Sequence, residues 1–382
     1  MTVLSLAFLG WVAATVPAYW LAPRDARPWV LAGLTVVFVA LLSPTSAGLL
    51  VAFTAITWLG LQRAAGSPTT LVVAGVVVLT GLLAFKVPAA GLLGPELAEV
   101  AVPLGLSYYA LRFLHLLMEA YRGALPRLEL AHVVSYALFL PTILAGPIHR
   151  FGVFRRDLRR QRWDPALFTR GLERIVLGAA RIAVLGNFLV SHELVRRIAP
   201  LEDSHPALFA YLDCVRYGLN LYFQFAGYSD VAIGFALLLG FRVMENFDRP
   251  FLRPNIAEFW RGWHISLSSW CRDYVYLPVL SSARRGVPAV LASMVVLGLW
   301  HELSPRYLAW GAIHGSAIVV FRLFERLKPR LPSPRSAAGR TAARVLATLV
   351  TVNFVMLSFA FTKEPDLRSG VAVWLTIFTG GP

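Results

Sequence analysis

Charge is scarce in this chain. Lys, Arg, Asp and Glu make up 15% of its 382 residues, against 57% hydrophobic residues, whereas soluble domains carry roughly a quarter charged residues. That shortage excludes an ordinary soluble domain and implies an integral membrane protein. Cysteine is nearly absent: Cys214 and Cys271 are the only two, both in apolar helical context, so neither a disulfide nor a thiolate metal site is expected. The usual hydrolytic motifs are incomplete. His301-Glu-Leu-Ser-Pro305 begins like a zinc-protease HExxH but has proline where the second ligand belongs, and His192-Glu-Leu-Val-Arg196 fails likewise. Gly105-Leu-Ser-Tyr-Tyr109 and Gly227-Tyr-Ser-Asp230 lack the glycine frame of a nucleophile elbow. There is no phosphate-binding loop, no dinucleotide fingerprint and no repeat of fixed period, and no metal site is expected.

Acidic residues are the rarer sign, 21 against 36 basic, for a net charge of +15. The basic residues collect in short loops between apolar runs, chiefly His149–Arg162 and Arg322–Arg344. That is the positive-inside pattern, with anionic lipid headgroups as partner rather than nucleic acid. Both loops are predicted cytoplasmic, in a multi-pass protein of the cell (plasma or inner) membrane.

Long apolar runs are what the chain has in abundance. Stretches such as Leu31–Ala40, Leu71–Phe85 and Val287–Leu299 belong to segments near the span length of about 20 residues. The N-terminal stretch has no basic leader region and reads as a first span. The expected fold is an all-α polytopic bundle of roughly ten transmembrane helices with added re-entrant or interfacial helices. No polar linker interrupts it, so 1–382 reads as a single membrane domain. Residues 1–100 are spans separated by turns at Ala22–Arg27, Ser43–Ser46, Ala64–Thr69 and Val87–Pro95. The last span is 345–362, followed by a short tail.

Polar residues inside this pattern are few and placed. Arg112, His115 and Glu119 recur at three- and four-residue spacing and share a helix face. Pro141, Gly146 and Pro147 fall inside an apolar run, predicting a kinked or re-entrant element. Asp213, Arg216, Asn220 and Gln224 form one stripe on an apolar helix. Gly227-Tyr-Ser-Asp230 is expected to interrupt that helix, with Asp230 paired or hydrogen-bonded. The densest concentration runs from Pro250 to Gly315, with His264, His301, His314 and five tryptophans. Its first part, Asn255–Trp270, reads as one interfacial amphipathic helix. Its second part is an apolar helix delivering Trp300-His301-Glu302 just before the break at Pro305. Ionisable groups at membrane depth are costly and usually functional. With metal and serine motifs incomplete, histidine as a general base is the chemistry left, contributing about 10²–10⁴ in rate. Transfer of an acyl group from a thioester to an alcohol asks for little more, because a thiolate leaves readily.

The stretches LPTILAGPI, YFQFAGYSDVAIGFALLLGF with ENF, FWRGWHISLSSWCRDYVYLP and GLWHELSPRYLAWGAIHG, preceded by PLGLSYYALRFLHLLMEAYRG, resemble consecutive signatures of membrane-bound O-acyltransferases. The resemblance is to the bacterial branch with alginate O-acetyltransferases and teichoic-acid D-alanyltransferases, and it covers 102–315 in order. It implies a ring of tilted helices around a central funnel or tunnel. It also implies a cytosolic thioester donor, acyl-CoA (acetyl-CoA by preference) or an acyl carrier protein, with no bound cofactor. The acceptor is then a hydroxyl of an extracytoplasmic cell-envelope polysaccharide, and accessory envelope-modification proteins are possible partners. The family's catalytic histidine falls on His301, as base, and its second polar position on His264, which orients substrate or stabilises charge.

The substrate-binding candidates are Gln224, Tyr228, Ser229, Asp230, Asn246, Trp260, Arg261, Trp263, Arg272, Asp273, Trp300, Glu302, Tyr307 and His314. One departure stands out: Glu302 follows the base where this branch commonly has glycine. A carboxylate there is expected either to raise the base's pKa or to contact a cationic acceptor. Alternative readings are D-alanyl or other acyl transfer from a carrier protein to a teichoic-acid-like polymer, and acylation of a lipid or secondary metabolite. A reading of another class is a membrane transporter using the polar stripe as a conduit.

Overall fold

The computed structural model describes residues 5–64, 67–91, 102–125, 128–144, 146–330 and 336–380. Residues 65–66, 92–95 and 331–335, which fall within two of the expected turns and the second basic loop, lie outside them. Among the described residues the regular structure is helical, and the one extended pairing is an isolated bridge between Phe247 and Trp263. Six helices are long and apolar enough to cross a membrane, and five shorter apolar ones accompany them. The all-α polytopic expectation is met. The short helices, such as Arg27–Leu42 and Gly286–His301, fall below the usual span length.

The chain divides into two compact units, 1–179 with 227–244, and 180–226 with 245–382. The first unit contains α1 (Leu6–Leu21), α2 (Arg27–Leu42), α3 (Pro44–Arg63), α4 (Thr69–Ala89), α5 (Leu106–Tyr121), α6 (Leu130–Ala137) and α7 (Phe151–Arg160). It also holds the start of α8 (Pro165–Ile198) and the end of α9 (Pro206–Leu238). Serine and proline set several starts: Ser5 and Ser43 cap α1 and α3 through their side chains, and Pro28 and Pro44 occupy first turns.

The predicted break around Pro141 is present. After α6 the chain passes through a short 3₁₀ turn, Leu140–Thr142, and then an irregular stretch to α7. The carbonyls freed there find a donor in Arg112, only 1% exposed. Its guanidinium bonds to Thr142 Oγ1 at 3.2 Å and to the carbonyls of Tyr136 and Ala137, and stacks over the Tyr136 ring. His115, one turn on, accepts from the Phe151 N–H at 3.1 Å and so caps α7. The shared face of Arg112 and His115 satisfies backbone that the broken helix leaves unpaired.

The second unit contains the rest of α8 and α9, then α10 (Ile256–Gly262), α11 (Ile265–Cys271), α12 (Leu277–Ala283), α13 (Gly286–His301), α14 (Pro305–Leu327), α15 (Ala337–Ser358) and α16 (Leu367–Thr379). Three expectations change here. The helix through Gly227–Asp230 is unbroken. The stretch 255–270 is two helices rather than one, with His264 at the joint. The tail after Thr362 holds a further apolar helix, α16.

Candidate active site

Both histidines of the predicted pair lie in the second unit. His301 is the last residue of α13, exposed at the helix end. Close approach of α13 and α14 sets its surroundings. Gly298 lies against the Tyr307 carbonyl, and a Cβ on Gly311 would meet the Met294 carbonyl at 2.5 Å. Only glycine lets these backbones touch, and the contact brings two rings of α14 to His301. Tyr307 is stacked on the imidazole with centroids 5.8 Å apart, and Trp310 lies edge-on at 6.0 Å.

His264 is held differently. It is buried, 1% exposed, and sits at φ 44°, ψ 53° at the cap of α11. A non-glycine residue in that left-handed region costs on the order of 1–3 kcal/mol and persists only where its surroundings over-determine it. They do so here. Residues 246–248 run antiparallel to 262–265: Asp248 N–H donates to the Gly262 carbonyl, Phe247 bridges Trp263, and Ile265 N–H donates to the Asn246 carbonyl, both bonds at 2.9 Å. The fully buried Asn246 side chain also accepts from Ser266 N–H at 3.3 Å. A Cβ on Gly262 would lie 2.6 Å from the Asp248 carbonyl oxygen. These bonds fix His264 against Phe225 at 4.6 Å and Trp300 at 5.8 Å, with its ring centroid 6.1 Å from that of His301.

Burial first, and the neighbouring His301 second, hold the His264 imidazolium form well below the ordinary histidine range. His264 is therefore neutral at working pH. Among the described residues its buried Nε2 meets no protein partner, and the same is true of Trp310 Nε1. Two buried nitrogens flanking an exposed histidine are the polar features of the site that call for a ligand. Phe225 and Trp310 were absent from the sequence-derived candidates. Trp310 carried a signal, since it falls on the His314 side of the GLWHELSPRYLAWG stretch, whereas Phe225 reads as one more apolar helix residue.

The other candidates divide. His314 is fully buried and supports a wall of the site. It accepts from Trp260 Nε1 at 3.3 Å through Nδ1, so its Nε2–H faces Ser358 Oγ at 2.9 Å, and Ser358 donates on to the Val355 carbonyl. Trp260 in turn packs on Trp310 at 5.8 Å. Trp263 is buried against Phe247 and Phe259. Arg272 and Asp273 pair with each other at 2.8 Å, and Arg261 is exposed on α10. Gln224 donates to Asn187 at 2.6 Å and Asn220 accepts from Ser191 at 3.1 Å. Asp213 pairs with Arg216 and Lys363, so the polar stripe of α9 is an internally paired seam. Tyr228, Ser229 and Asp230 belong to the first unit, where Asp230 pairs with Arg174 at 2.6 Å, as its apolar setting requires.

Glu302 answers neither sequence expectation directly. Its carboxylate takes a two-point contact from Arg306, with Nε to Oε1 at 3.0 Å. Arg306 also reaches the carbonyls of Thr362 and Glu364 and stacks on Tyr307 at 5.1 Å. The pair ties the turn after His301 to the backbone at Thr362 and Glu364, beyond the end of α15. Among the described residues no group of histidine, cysteine and carboxylates has the arrangement of a metal site.

Residues 90–361 match the sequence profile of MBOAT, the membrane-bound O-acyltransferase family. The chain is 30% identical over 292 residues to a probable alginate O-acetylase of Pseudomonas aeruginosa, covering 75% of this chain and 53% of that protein. It is 30% identical over 281 residues to a teichoic acid D-alanyltransferase of Bacillus subtilis, covering 69% of each. It is 28% identical over 320 residues to a peptidoglycan O-acetyltransferase of Helicobacter pylori, covering 73% of this chain and 57% of that one. The chain spans about half the length of the alginate relatives it matches.

Proposed function

This chain belongs to the membrane-bound O-acyltransferase family, and we propose that it moves an acetyl group from a cytosolic thioester, acetyl-CoA or an acyl carrier protein, to a hydroxyl of an extracytoplasmic envelope polysaccharide. The observation that carries the reading is the unequal histidine pair. His301 is exposed at the C-terminus of α13, where a helix favours a cation by about 0.3–1 kcal/mol. His264 is buried and neutral. One is suited to take a proton and the other to donate a hydrogen bond.

In this mechanism His301 removes the proton of the acceptor hydroxyl as its oxygen attacks the thioester carbonyl carbon. The carbonyl electron pair moves onto oxygen. Neutral His264, with its proton on Nε2, and Trp310 Nε1–H donate to that oxyanion, a type of stabilisation worth about 2.7–4 kcal/mol per donor. Collapse expels the thiolate, which takes the proton from the His301 imidazolium, leaving an O-acyl ester and a free thiol. No protein nucleophile is needed. The aromatic wall of Trp260, Trp300, Tyr307 and Trp310 excludes water that would hydrolyse the donor.

Acetyl is preferred because alginate and peptidoglycan O-acetyl transfer recur among the relatives' names. D-alanyl transfer from a carrier protein is the second reading, favoured by the larger share of the teichoic acid D-alanyltransferase that the chain covers. The basic loops support an inner-membrane placement, with accessory envelope proteins as the expected partners. Membranes holding the chain, given labelled acetyl-CoA and separately a D-alanyl-loaded carrier protein, distinguish the readings by which label reaches polymer. Label from neither donor would count against both.

A further inference from the structure

Between α14 and α15 the second unit carries an open apolar cavity of about 1050 Å³. Its walls include Ala317 and Phe324 on α14, Ala343, Ala347 and Phe354 on α15, and Trp374 on α16. Small side chains on the facing helices hollow it out. Val320, Leu346 and Val350 stand more than half exposed along it, so apolar surface there lies open toward lipid.

Two features together select an occupant. The groove runs from Ala312 to Phe324 on α14, about 18 Å at 1.5 Å per residue, close to one leaflet of a hydrocarbon core about 30 Å thick. At one end the helix stripes continue onto cations. Lys328 lies one turn beyond Phe324, where it also pairs with Glu325 at 3.0 Å, Arg340 lies one turn before Ala343, and Arg344 is adjacent; all three cations are exposed, and they outnumber that one carboxylate. That end belongs to the second basic loop of the sequence, which the positive-inside pattern puts on the cytoplasmic side.

We propose that this groove is a binding site for an anionic phospholipid of the cytoplasmic leaflet, with its acyl chains between α14 and α15 and its phosphate at Lys328 and Arg340. Basic pockets between membrane helices on the cytoplasmic side hold such headgroups. The inner end of the groove is Phe354, whose ring lies 5.3 Å from His314. The lipid therefore backs the wall that His314 and Trp260 build.

The test uses the full chain purified from bacterial membranes in detergent, with retained lipid extracted and quantified by mass spectrometry, and needs no transferase assay. Wild type should retain phosphatidylglycerol through extended detergent exchange, and Ala317→Trp with Ala347→Trp should lose it. Lys328→Gln with Arg340→Gln, at exposed positions, should cut the preference for phosphatidylglycerol over phosphatidylethanolamine about thirtyfold. Wild type stripped of phospholipid would overturn the proposal, as would equal retention in the tryptophan variant. So would a small membrane protein, rather than lipid, displaced by the tryptophans. Should the tryptophan variant misfold, an unchanged lipid preference in the glutamine variant overturns the proposal alone.

Discussion

His264 and His301 lie with ring centroids 6.1 Å apart, one buried at the joint between two short helices and the other exposed at the end of a third. Their environments push them toward different tasks. Desolvation keeps His264 neutral, while His301 stands exposed at a helix end that favours a cation. Pairs of titratable groups driven apart by environment are how acid–base roles are assigned in active sites.

The pH dependence follows from that asymmetry. His264, held well below its ordinary range by burial, stays unprotonated around neutral pH. The acid limb of kcat/KM should then fall with a slope of one, because His264 adds no second protonation there. A slope of two in that range would mean that both histidines titrate. The sign for stability is also fixed. Below about pH 6.5 the unfolded chain binds a proton that folded His264 does not, so stability falls as pH drops through that value.

The left-handed His264 depends on its neighbours more than on its own preference. Gly262→Ala puts a Cβ against the Asp248 carbonyl, a backbone group with little freedom to move. The expected cost is about 1–3 kcal/mol, with the bridge between 246–248 and 262–265 weakened. Acyl transfer should fall at least tenfold while the chain still inserts, a loss read as kcat with little change in donor KM. A Gly262→Ala variant with wild-type kcat would show that the bridge does not set the His264 geometry.

Glu302 and Arg306 should behave as a unit. Glu302→Gln and Arg306→Gln each release the turn after His301 from the backbone at Thr362 and Glu364. The double variant should be little worse than either single one, with a coupling of about 1 kcal/mol, kept small by the partial exposure of Glu302. Strictly additive losses in kcat/KM would indicate that Glu302 acts on a substrate instead.

How much of this was legible in the sequence depended on how local the cause was. The break at Pro141 was legible because proline removes a backbone bond whatever surrounds it. Asp230 was legible as a group needing a partner, but not Arg174 as that partner. Gly227–Asp230 does not interrupt α9, because a paired carboxylate and a glycine are both tolerated in a helix whose backbone bonds stay intact. The joint at His264 was hidden. Phe259, Trp260, Trp263 and Leu267 keep helical spacing across it, and the cause is a bridge to Phe247, a long-range contact that periodicity does not carry. The ion pair between Glu302 and Arg306 sits at i, i+4 spacing and was readable in principle. His301 and His264 were visible as costly polar groups in an apolar chain, and the structure added their unequal burial.

The proposed oxyanion donors can be separated. Trp310→Phe removes Nε1–H and keeps most of the ring that packs on His301 and His314. It should lower kcat about 10²-fold with donor KM nearly unchanged. Full activity would assign that buried nitrogen no part in the chemistry.

The central claim is that His301 is the general base for acyl transfer. The direct measurement is transfer of label from acetyl-CoA to polymer by purified His301→Ala, with insertion and monodispersity checked beside wild type. The expected loss is at least 10²-fold, with the protein folded and His264→Ala impaired but measurably active. A folded His301→Ala variant that transfers label at the wild-type rate would contradict the account.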